Sequence, residues 1–287
     1  MEIYNSFFDV CIKTPTAITI GKFDGIHKGH NLLISEITSK KSMGISSCVI
    51  TFKNSPRLFL SKDITPSLFT NEEKKYIFKQ KGIDNLILIE FNKKFMEVDS
   101  TKFIEILCKN LNMKYLVIGE DFSFGYKGQG NVELLEKISK TYGFELKVFK
   151  KLKKYNKEIT TTYIREQLIK GDIQLVNEML GYEYFILGEA LSKKSEKNKT
   201  GTQPLYIIPV KDKLIPKCGS YSTKLLLEDN IFNGISKIGK NMMINEGCNN
   251  SDSENDIQIE IFISECNVDL NGKKIMLCFY KFFGEYK

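Results

Sequence analysis

A glycine- and histidine-rich segment follows a β-branched apolar run near the start of the chain. The run Thr16–Ile20 is typical of a buried strand, and the segment 21–30, with the sequence GKFDGIHKGH, comes directly after it. A helical pattern follows, with Leu32, Leu33 and Ile37 on one side. Ligands of open α/β sheets bind outside the carboxyl ends of the strands, and free backbone N–H groups at a helix start favour an anion. The segment therefore predicts a phosphate site between this strand and this helix.

The chain contains only two histidines, His27 and His30, and both lie in this segment. Two residues placed at random in such a chain would fall within three positions of each other only about 2% of the time. An imidazole N–H aimed at α-phosphate oxygens would stabilise the charge that develops during in-line displacement. Two alternatives stay open. One ring caps the helix while the other lies on the surface, or the pair binds a metal, for which no dedicated third ligand is near.

Apolar runs alternate with helical patterns over about the first 150 residues. The runs are continuous, as in strands that are buried on both faces. They lie at 16–20, 46–52, 86–89, 115–118 and 145–149. The helical patterns lie at 29–41, from Thr70 onward, at 100–110 and at 131–142. Strand and helix in alternation predict an α/β fold with a parallel sheet.

The pattern changes near residue 183. Two further helical patterns, 161–170 and 174–180, are followed mostly by strands separated by turns and polar loops. These candidate strands lie at 184–190, 205–209, 221–227, 257–264 and 274–283. We therefore expect a first domain over 1–182 and a smaller, mostly β second domain, a barrel or sandwich, over 183–287.

Composition restricts the partners and the location of the protein. The net charge of +7 comes almost entirely from Lys, since Arg57 and Arg165 are the two arginines. Such charge is typical of a solvated surface, and no aromatic-and-basic module predicts nucleic-acid binding. We also expect no membrane span, no signal peptide and a cytoplasmic location. The seven cysteines lack zinc-site spacing and are expected to be thiols. Self-association is left open.

Several motifs resemble one family in the same order along the chain. H-x-G-H at 27–30 resembles the nucleotidyltransferase superfamily, and G-x-F-D-G-x-H-x-G-H resembles the bacterial bifunctional riboflavin kinase/FAD synthetases. Lys53, Asn54 and Ser55 replace the central residues of the family's T-F-x-P-H-P-R. The family's G-x-D-F-x-F-G and G-D occur at 119–125 and 171–172. Residues 68–74 resemble its L-T-x-x-E-K, residues 159–165 resemble its I-S-S-T-x-I-R with conservative changes, and residues 180–182 fall where its L-L-G occurs. The resemblance covers most of residues 15–190 and implies a Rossmann-like sheet.

The resemblance implies an FMN adenylyltransferase. A phosphate oxygen of FMN would attack the α-phosphorus of ATP, releasing pyrophosphate and giving FAD, with Mg²⁺ on the triphosphate and no protein nucleophile. His27, His30 and Arg165 would act in catalysis. The implied ATP-binding residues are Gly21, Phe23, Asp24, Gly25, His27, His30, Thr160, Thr161, Thr162 and Arg165.

Two of the implied sites can also be judged from the residues themselves. Hydroxyls ahead of a helix with Arg165 one turn later would form an anion site, or alternatively an ordinary N-cap beside a surface arginine. Asp121, Phe122 and Phe124 would flank the flavin ring, or the two aromatic rings could be part of the core.

The second domain departs from the family pattern. In the family's G-x-P-T-A-N, the Thr and Asn serve Mg-ATP, whereas here Leu205 and Ile207 follow Pro204 at those positions. Neither side chain can bind a metal or donate a hydrogen bond. Glu260 aligns with the family's catalytic glutamate, and Thr200 and Thr202 offer alternative hydroxyls nearby.

We therefore expect an FAD synthetase whose β-barrel lacks riboflavin kinase activity. The alternatives are the full bifunctional riboflavin kinase/FMN adenylyltransferase, or a flavin-binding regulatory protein without catalysis.

Overall fold

The structure is a computed structural model, and it describes residues 1–54, 65–192, 204–210, 212–240, 257–263 and 269–285. The chain divides into two compact units. The first unit is Met1–Thr65 with Lys74–Ile159, and the second is Pro66–Glu73 with Thr160–Lys287. This division differs from the expected domain bounds of 1–182 and 183–287, because residues 66–73 and 160–182 pack with the second unit.

The first unit contains a six-stranded parallel sheet, which confirms the predicted α/β class. Its strands are β1 (Glu2–Tyr4), β2 (Thr16–Ile20), β3 (Ser46–Phe52), β4 (Asn85–Ile89), β5 (Met113–Gly119) and β6 (Glu145–Phe149), in the spatial order β1-β4-β3-β2-β5-β6. Every residue of β2 and β4 is buried. Burial on both faces explains why these strands are continuous apolar runs in the sequence. A short hairpin, β7 (Lys153–Lys154) and β8 (Lys157–Glu158), follows.

Helices connect these strands and continue into the second unit. In chain order they are α1 (Lys28–Ser39), α2 (Asn71–Gln80), α3 (Lys93–Met96), α4 (Ser100–Lys109), α5 (Val132–Tyr142), α6 (Thr161–Lys170) and α7 (Ile173–Leu180). Side-chain N-caps fix several starts, as at α4, where Asp99 accepts from the Lys102 N–H. In the described part of the chain, no helix has the length and apolar character needed to cross a membrane.

The strand order reverses beside β2. The chain passes from β2 to β3 on one side and later places β5 on the other side of β2. The carboxyl ends of β2 and β5 therefore flank the topological switch point, where open α/β sheets bind their ligands. Segment 21–30 follows β2 and segment 120–125 follows β5, so both predicted motifs lie at this edge of the sheet.

The second unit is built on a seven-stranded antiparallel sheet, as expected for a mostly β domain. Its strands are β9 (Tyr184–Glu189), β10 (Leu191–Ser192), β11 (Leu205–Ile207), β12 (Gly219–Leu227), β13 (Asn230–Lys240), β14 (Ile257–Ile263) and β15 (Lys274–Gly284), in the order β10-β11-β14-β13-β12-β15-β9. β9 and β10 are at opposite ends of this order although only Ala190 separates them. The sheet must therefore curl so that its two ends approach each other.

A buried ion pair holds segment 66–73 within the second unit. Lys213 Nζ lies 2.8 Å from Glu73 Oε2, and the side chains are 0% and 1% exposed. The same ammonium group donates to the backbone oxygens of Leu68, at 2.7 Å, and Phe185, at 2.9 Å. Three acceptors therefore match its three protons, which is what burying such a charge requires.

The Glu73 carboxylate also accepts hydrogen bonds from backbone groups. It accepts from the backbone N–H groups of Thr70, at 2.7 Å, and Leu187, at 2.9 Å. The Thr70 hydroxyl in turn accepts from the Glu73 N–H at 3.2 Å. This reciprocal pair is a capping box, so the same carboxylate begins α2 and binds β9.

Candidate active site

The connection from β2 to α1 holds two residues in an unusual backbone conformation. Phe23 has φ 44° and Ile26 has φ 36°, in the left-handed region that non-glycine residues rarely adopt. Such strain costs on the order of 1–3 kcal/mol per residue and is concentrated at functional sites. Both side chains are 0% exposed, so their burial stabilises the strained loop.

His27 is the N-cap of α1. Its backbone is extended, and its Nδ1 accepts a hydrogen bond from the His30 N–H at 3.4 Å. Because Nδ1 is the acceptor, the neutral ring carries its proton on Nε2. The capping role that the sequence left open is thus present, and the ring keeps a donor on its other nitrogen.

Gly29 allows this cap to form. A Cβ atom at position 29 would lie 3.1 Å from both Cε1 and Nδ1 of His27, closer than side chains ordinarily approach. The imidazole therefore lies directly over the backbone of the first helical turn. This contact explains why a glycine separates the two histidines.

The two imidazoles are stacked and neutral. Their centroids are 3.9 Å apart at an interplanar angle of 20°, and the Phe23 ring lies 4.9 Å from that of His30. Burial lowers the pKa of His27 to about 4. Burial also lowers the pKa of His30 well below its ordinary value, with a further contribution from the neighbouring His27. Both rings are therefore uncharged hydrogen-bonding groups at neutral pH.

His30 has a buried ring nitrogen that no described residue of the chain uses. Within the described residues, its Nδ1 has no hydrogen-bond partner, and neither has Thr19 Oγ1 at the end of β2. Leaving a buried polar atom unpaired costs about 1–3 kcal/mol. Such orphaned atoms beside a switch point are what a site for a polar ligand requires.

The predicted threonine and arginine site begins α6 in the second unit. Thr160 is the N-cap, and its hydroxyl accepts from the Tyr163 N–H at 3.2 Å. Thr161 is partly exposed and Thr162 is exposed. Arg165 donates from Nη1 to the backbone oxygen of Pro66. The structure thus groups Thr160–Arg165 at one helix start in the second unit, and His27 with His30 at another in the first.

The three residues predicted to contact the flavin lie in the loop after β5 and differ in how buried they are. Phe124 is 6% exposed and packs 5.2 Å from Phe103 and 5.6 Å from Phe122. A Cβ at Gly130 would lie only 2.5 Å from the Phe124 ring. This burial favours the core role for Phe124. Phe122 is half-buried, and the exposed Asp121 forms an ion pair with Lys151 at 3.2 Å.

Sequence reasoning missed a group of half-buried rings at the same edge of the sheet. Phe52 ends β3, Phe91 follows β4, and Phe95 lies in α3. Their centroids are 5.7 to 5.9 Å apart. The available signal was an aromatic residue at the end of one buried apolar run, Phe52, and another two residues beyond the next run, Phe91.

The predicted kinase residues lie on neighbouring strands of the second unit. The Tyr206 hydroxyl donates to Glu260 Oε1 at 3.2 Å. Leu205 and Ile207, on β11, are 7% and 0% exposed. The alternative hydroxyls Thr200 and Thr202 lie outside the described residues.

The parallel sheet carries H-x-G-H at its switch point, after a loop in which Phe23 and Ile26 have a strained backbone. Together with the two neutral imidazoles, this is the arrangement expected of a nucleotidyltransferase. Comparison with known protein families agrees. The FAD synthetase model matches residues 11–163 and the riboflavin kinase model matches residues 180–286. The chain belongs to the family of bifunctional riboflavin kinase/FMN adenylyltransferases.

Individual relatives and one solved structure resemble most of the chain. The bifunctional riboflavin kinase/FMN adenylyltransferase of Buchnera aphidicola from Acyrthosiphon pisum is 31% identical, covering 94% of this chain and 85% of the relative. The Haemophilus influenzae protein of the same name is 34% identical, covering 80% and 75%. A crystal structure described as a macrolide-efflux protein from Streptococcus pneumoniae has a TM-score of 0.84 at 21% identity, covering 100% and 91%. This last likeness shows the fold.

Proposed function

We propose that the chain is a bifunctional enzyme that phosphorylates riboflavin to FMN and transfers AMP from ATP to FMN, giving FAD. The stacked, neutral His27–His30 pair at the switch point carries the second activity. Matches to both family models, and relatives named for both activities, support the pair of reactions. They favour the full bifunctional enzyme over the expected loss of kinase activity.

In adenylyl transfer, the chain positions the substrates and stabilises charge. The FMN phosphate is already an anion, so no protein base has to activate it. As negative charge develops on the α-phosphate oxygens, the Nε2–H of His27 and the Nδ1–H of His30, in the tautomer that protonates Nδ1, donate hydrogen bonds to them in a dry environment. The backbone N–H groups at the start of α1 add to this anion site. FMN attacks in line, and pyrophosphate leaves.

Two further groups are assigned to the substrates. The hydroxyls of Thr160, Thr161 and Thr162 and the Arg165 guanidinium are assigned to the nucleotide phosphates, since they form an anion-binding set at the start of α6. Asp121 and Phe122 are assigned to the flavin. Mg²⁺ prefers oxygen ligands, so it would be held by the triphosphate oxygens rather than by the two imidazoles. It would neutralise part of the charge of the triphosphate.

In riboflavin phosphorylation, a riboflavin hydroxyl attacks the γ-phosphorus of ATP, Glu260 accepts the hydroxyl proton, and ADP leaves. The side chains of Leu205 and Ile207 have no atom that could bind the metal-nucleotide, so in this proposal other groups do so. These two residues favour one second candidate, an FMN adenylyltransferase whose barrel no longer phosphorylates.

Two reactions with ATP and Mg²⁺, one containing FMN and the other riboflavin, test the proposal when products are separated by HPLC. We expect FAD from FMN, and FMN with FAD from riboflavin. Glu260→Gln should abolish products from riboflavin but retain FAD from FMN. FAD from FMN with no product from riboflavin would establish the second candidate. Tight FMN binding without FAD in either reaction would instead indicate a flavin-binding protein.

A further inference from the structure

The side chain of Asn54 continues the pairing of the parallel sheet beyond the end of β3. The Lys53 N–H, one residue beyond the end of β3, donates to the Ile89 oxygen at 2.8 Å. Asn54 Nδ2 then donates to the Phe91 oxygen at 3.1 Å, and Asn54 Oδ1 accepts from the Phe91 N–H at 2.8 Å. One amide side chain thus satisfies both backbone groups of Phe91.

These two hydrogen bonds hold an aromatic residue that lies outside the strands. Phe91 lies two residues beyond β4, where backbone is usually free to move. With its N–H and C=O both bound by Asn54, its ring stays 5.7 Å from Phe52 and 5.9 Å from Phe95. Asn54 stands where the family motif has a proline, whose side chain cannot form these two hydrogen bonds. They are therefore a feature of the present chain.

The three rings lie at the carboxyl ends of the strands, the edge at which open α/β sheets bind ligands. β3 and β4 are the first and second neighbours of β2 on one side. Strands are spaced about 5 Å apart, so the ends of β3 and β4 lie roughly 5 and 10 Å from the end of β2. The rings are half-buried and offer an apolar, aromatic surface at a distance suited to a flavin whose phosphate lies near the histidines.

We propose that Asn54 is a positioning residue for FMN, holding Phe91 so that Phe52, Phe91 and Phe95 present one surface to the flavin ring. The inference rests on the proposed FMN adenylyltransferase activity. Asn54 itself acts through the Phe91 backbone, and its loss changes how well FMN binds rather than how fast bound FMN reacts.

Quenching of FMN fluorescence in the absence of ATP measures binding independently of turnover, and steady-state kinetics measure KM and kcat. Asn54→Ala should raise the Kd and KM for FMN about tenfold, since two net hydrogen bonds are lost. The kcat at saturating FMN and the KM for ATP should stay within about twofold of wild type. Asn54→Asp keeps the acceptor for the Phe91 N–H but places a carboxylate oxygen against the Phe91 carbonyl oxygen, so it should also raise the Kd for FMN.

Asn110→Ala is the matched control. Asn110 Nδ2 donates to the Phe8 oxygen at 3.2 Å and precedes β5, at the opposite edge of the sheet. The Asn110→Ala variant should bind FMN with the same Kd as wild type. Unchanged FMN binding in Asn54→Ala, or an equal increase in Asn110→Ala, would overturn the inference. A wild-type protein that binds FMN without making FAD would refute the proposed function but still leave the binding comparison decisive.

Discussion

At the residue scale, a neutral imidazole has one donor and one acceptor, and His27 commits its acceptor to the helix. The proton that remains on Nε2 is therefore directed by the cap itself. His30 lacks such a commitment, because its Nδ1 is buried without a partner in the described part of the chain. The two histidines consequently differ in what a substitution should remove.

His30→Ala should reduce FAD formation by roughly 100-fold or more, the scale of losing one electrostatic donor, while the protein stays folded. Single-turnover assays with FMN and ATP measure the change, and far-UV circular dichroism checks the fold. Ser35→Ala, at an exposed position of α1, is the control and should retain wild-type rates. Near wild-type turnover in His30→Ala would exclude this residue from the reaction.

Gly29→Ala separates stability from activity. In open helical positions this change stabilises by up to about 1 kcal/mol, but here the new Cβ would press on the His27 ring at 3.1 Å. We expect the urea midpoint to change little and kcat for FAD formation to fall about tenfold as the ring is displaced. An unchanged kcat would show that the position of the ring over Gly29 is not needed.

At the element scale, the start of α1 makes stability depend on pH. The unfolded chain protonates His27 near its ordinary pKa of 6.5, whereas burial holds the folded pKa at about 4. Since the unfolded state binds more protons between these values, stability is complete above about pH 6.5 and declines as the pH falls towards 4. The loss from His27 is on the order of 3 kcal/mol, and His30 adds to it.

Urea unfolding at pH 7.5 and pH 5 measures this loss. His27→Asn retains a side chain that can cap a helix but cannot titrate, so its stability should decline less between the two pH values. An equal decline in the variant and in wild type would place the titrating groups elsewhere.

The buried pair in the second unit gives a prediction for segment 66–73. Lys213→Met leaves Glu73 charged and buried, which should cost about 3–5 kcal/mol of unfolding free energy. Lys217→Met removes a more exposed pair with Glu285, 37% and 64% exposed, and should cost less than about 1 kcal/mol. Similar losses for the two variants, measured by urea unfolding, would contradict this account of the Lys213–Glu73 pair.

Several elements were predictable because their signals are local. The runs at 46–52 and 145–149 coincide with β3 and β6, since strands in a parallel sheet are marked by their own apolar residues. β1 was not predicted, because three residues of mixed character carry too little pattern. The stacking of the two histidines and the burial of Phe124 depend on tertiary packing, which periodicity does not encode.

At the scale of the whole molecule, the sequence could not place segment 66–73. The segment includes the first turn of α2, whereas β3 before it and the rest of α2 after it belong to the first unit. Its ionic partner is 140 residues further along the chain. No local pattern in either stretch indicates the other. The same holds for the Tyr184 hydroxyl, which donates to the Leu68 oxygen across 116 residues.

A fragment ending at residue 182 tests the importance of these long-range bonds. It contains Glu73 but lacks Lys213 and Leu187, so a buried carboxylate loses two partners. We expect the fragment to unfold at a markedly lower temperature than the whole chain in calorimetry. An equal or higher Tm would show that segment 66–73 does not need these bonds.

The placement of segment 66–73 also constrains how genes of this kind can be reshuffled. Eight residues from the middle of the stretch matched by the FAD synthetase model pack with the unit that contains the riboflavin kinase match. A single crossover between the two coding regions would pair a new barrel with a segment shaped for the old one. Exchange of one half between lineages would succeed only where the lysine and the glutamate are inherited together, so the two halves are expected to evolve as one heritable block.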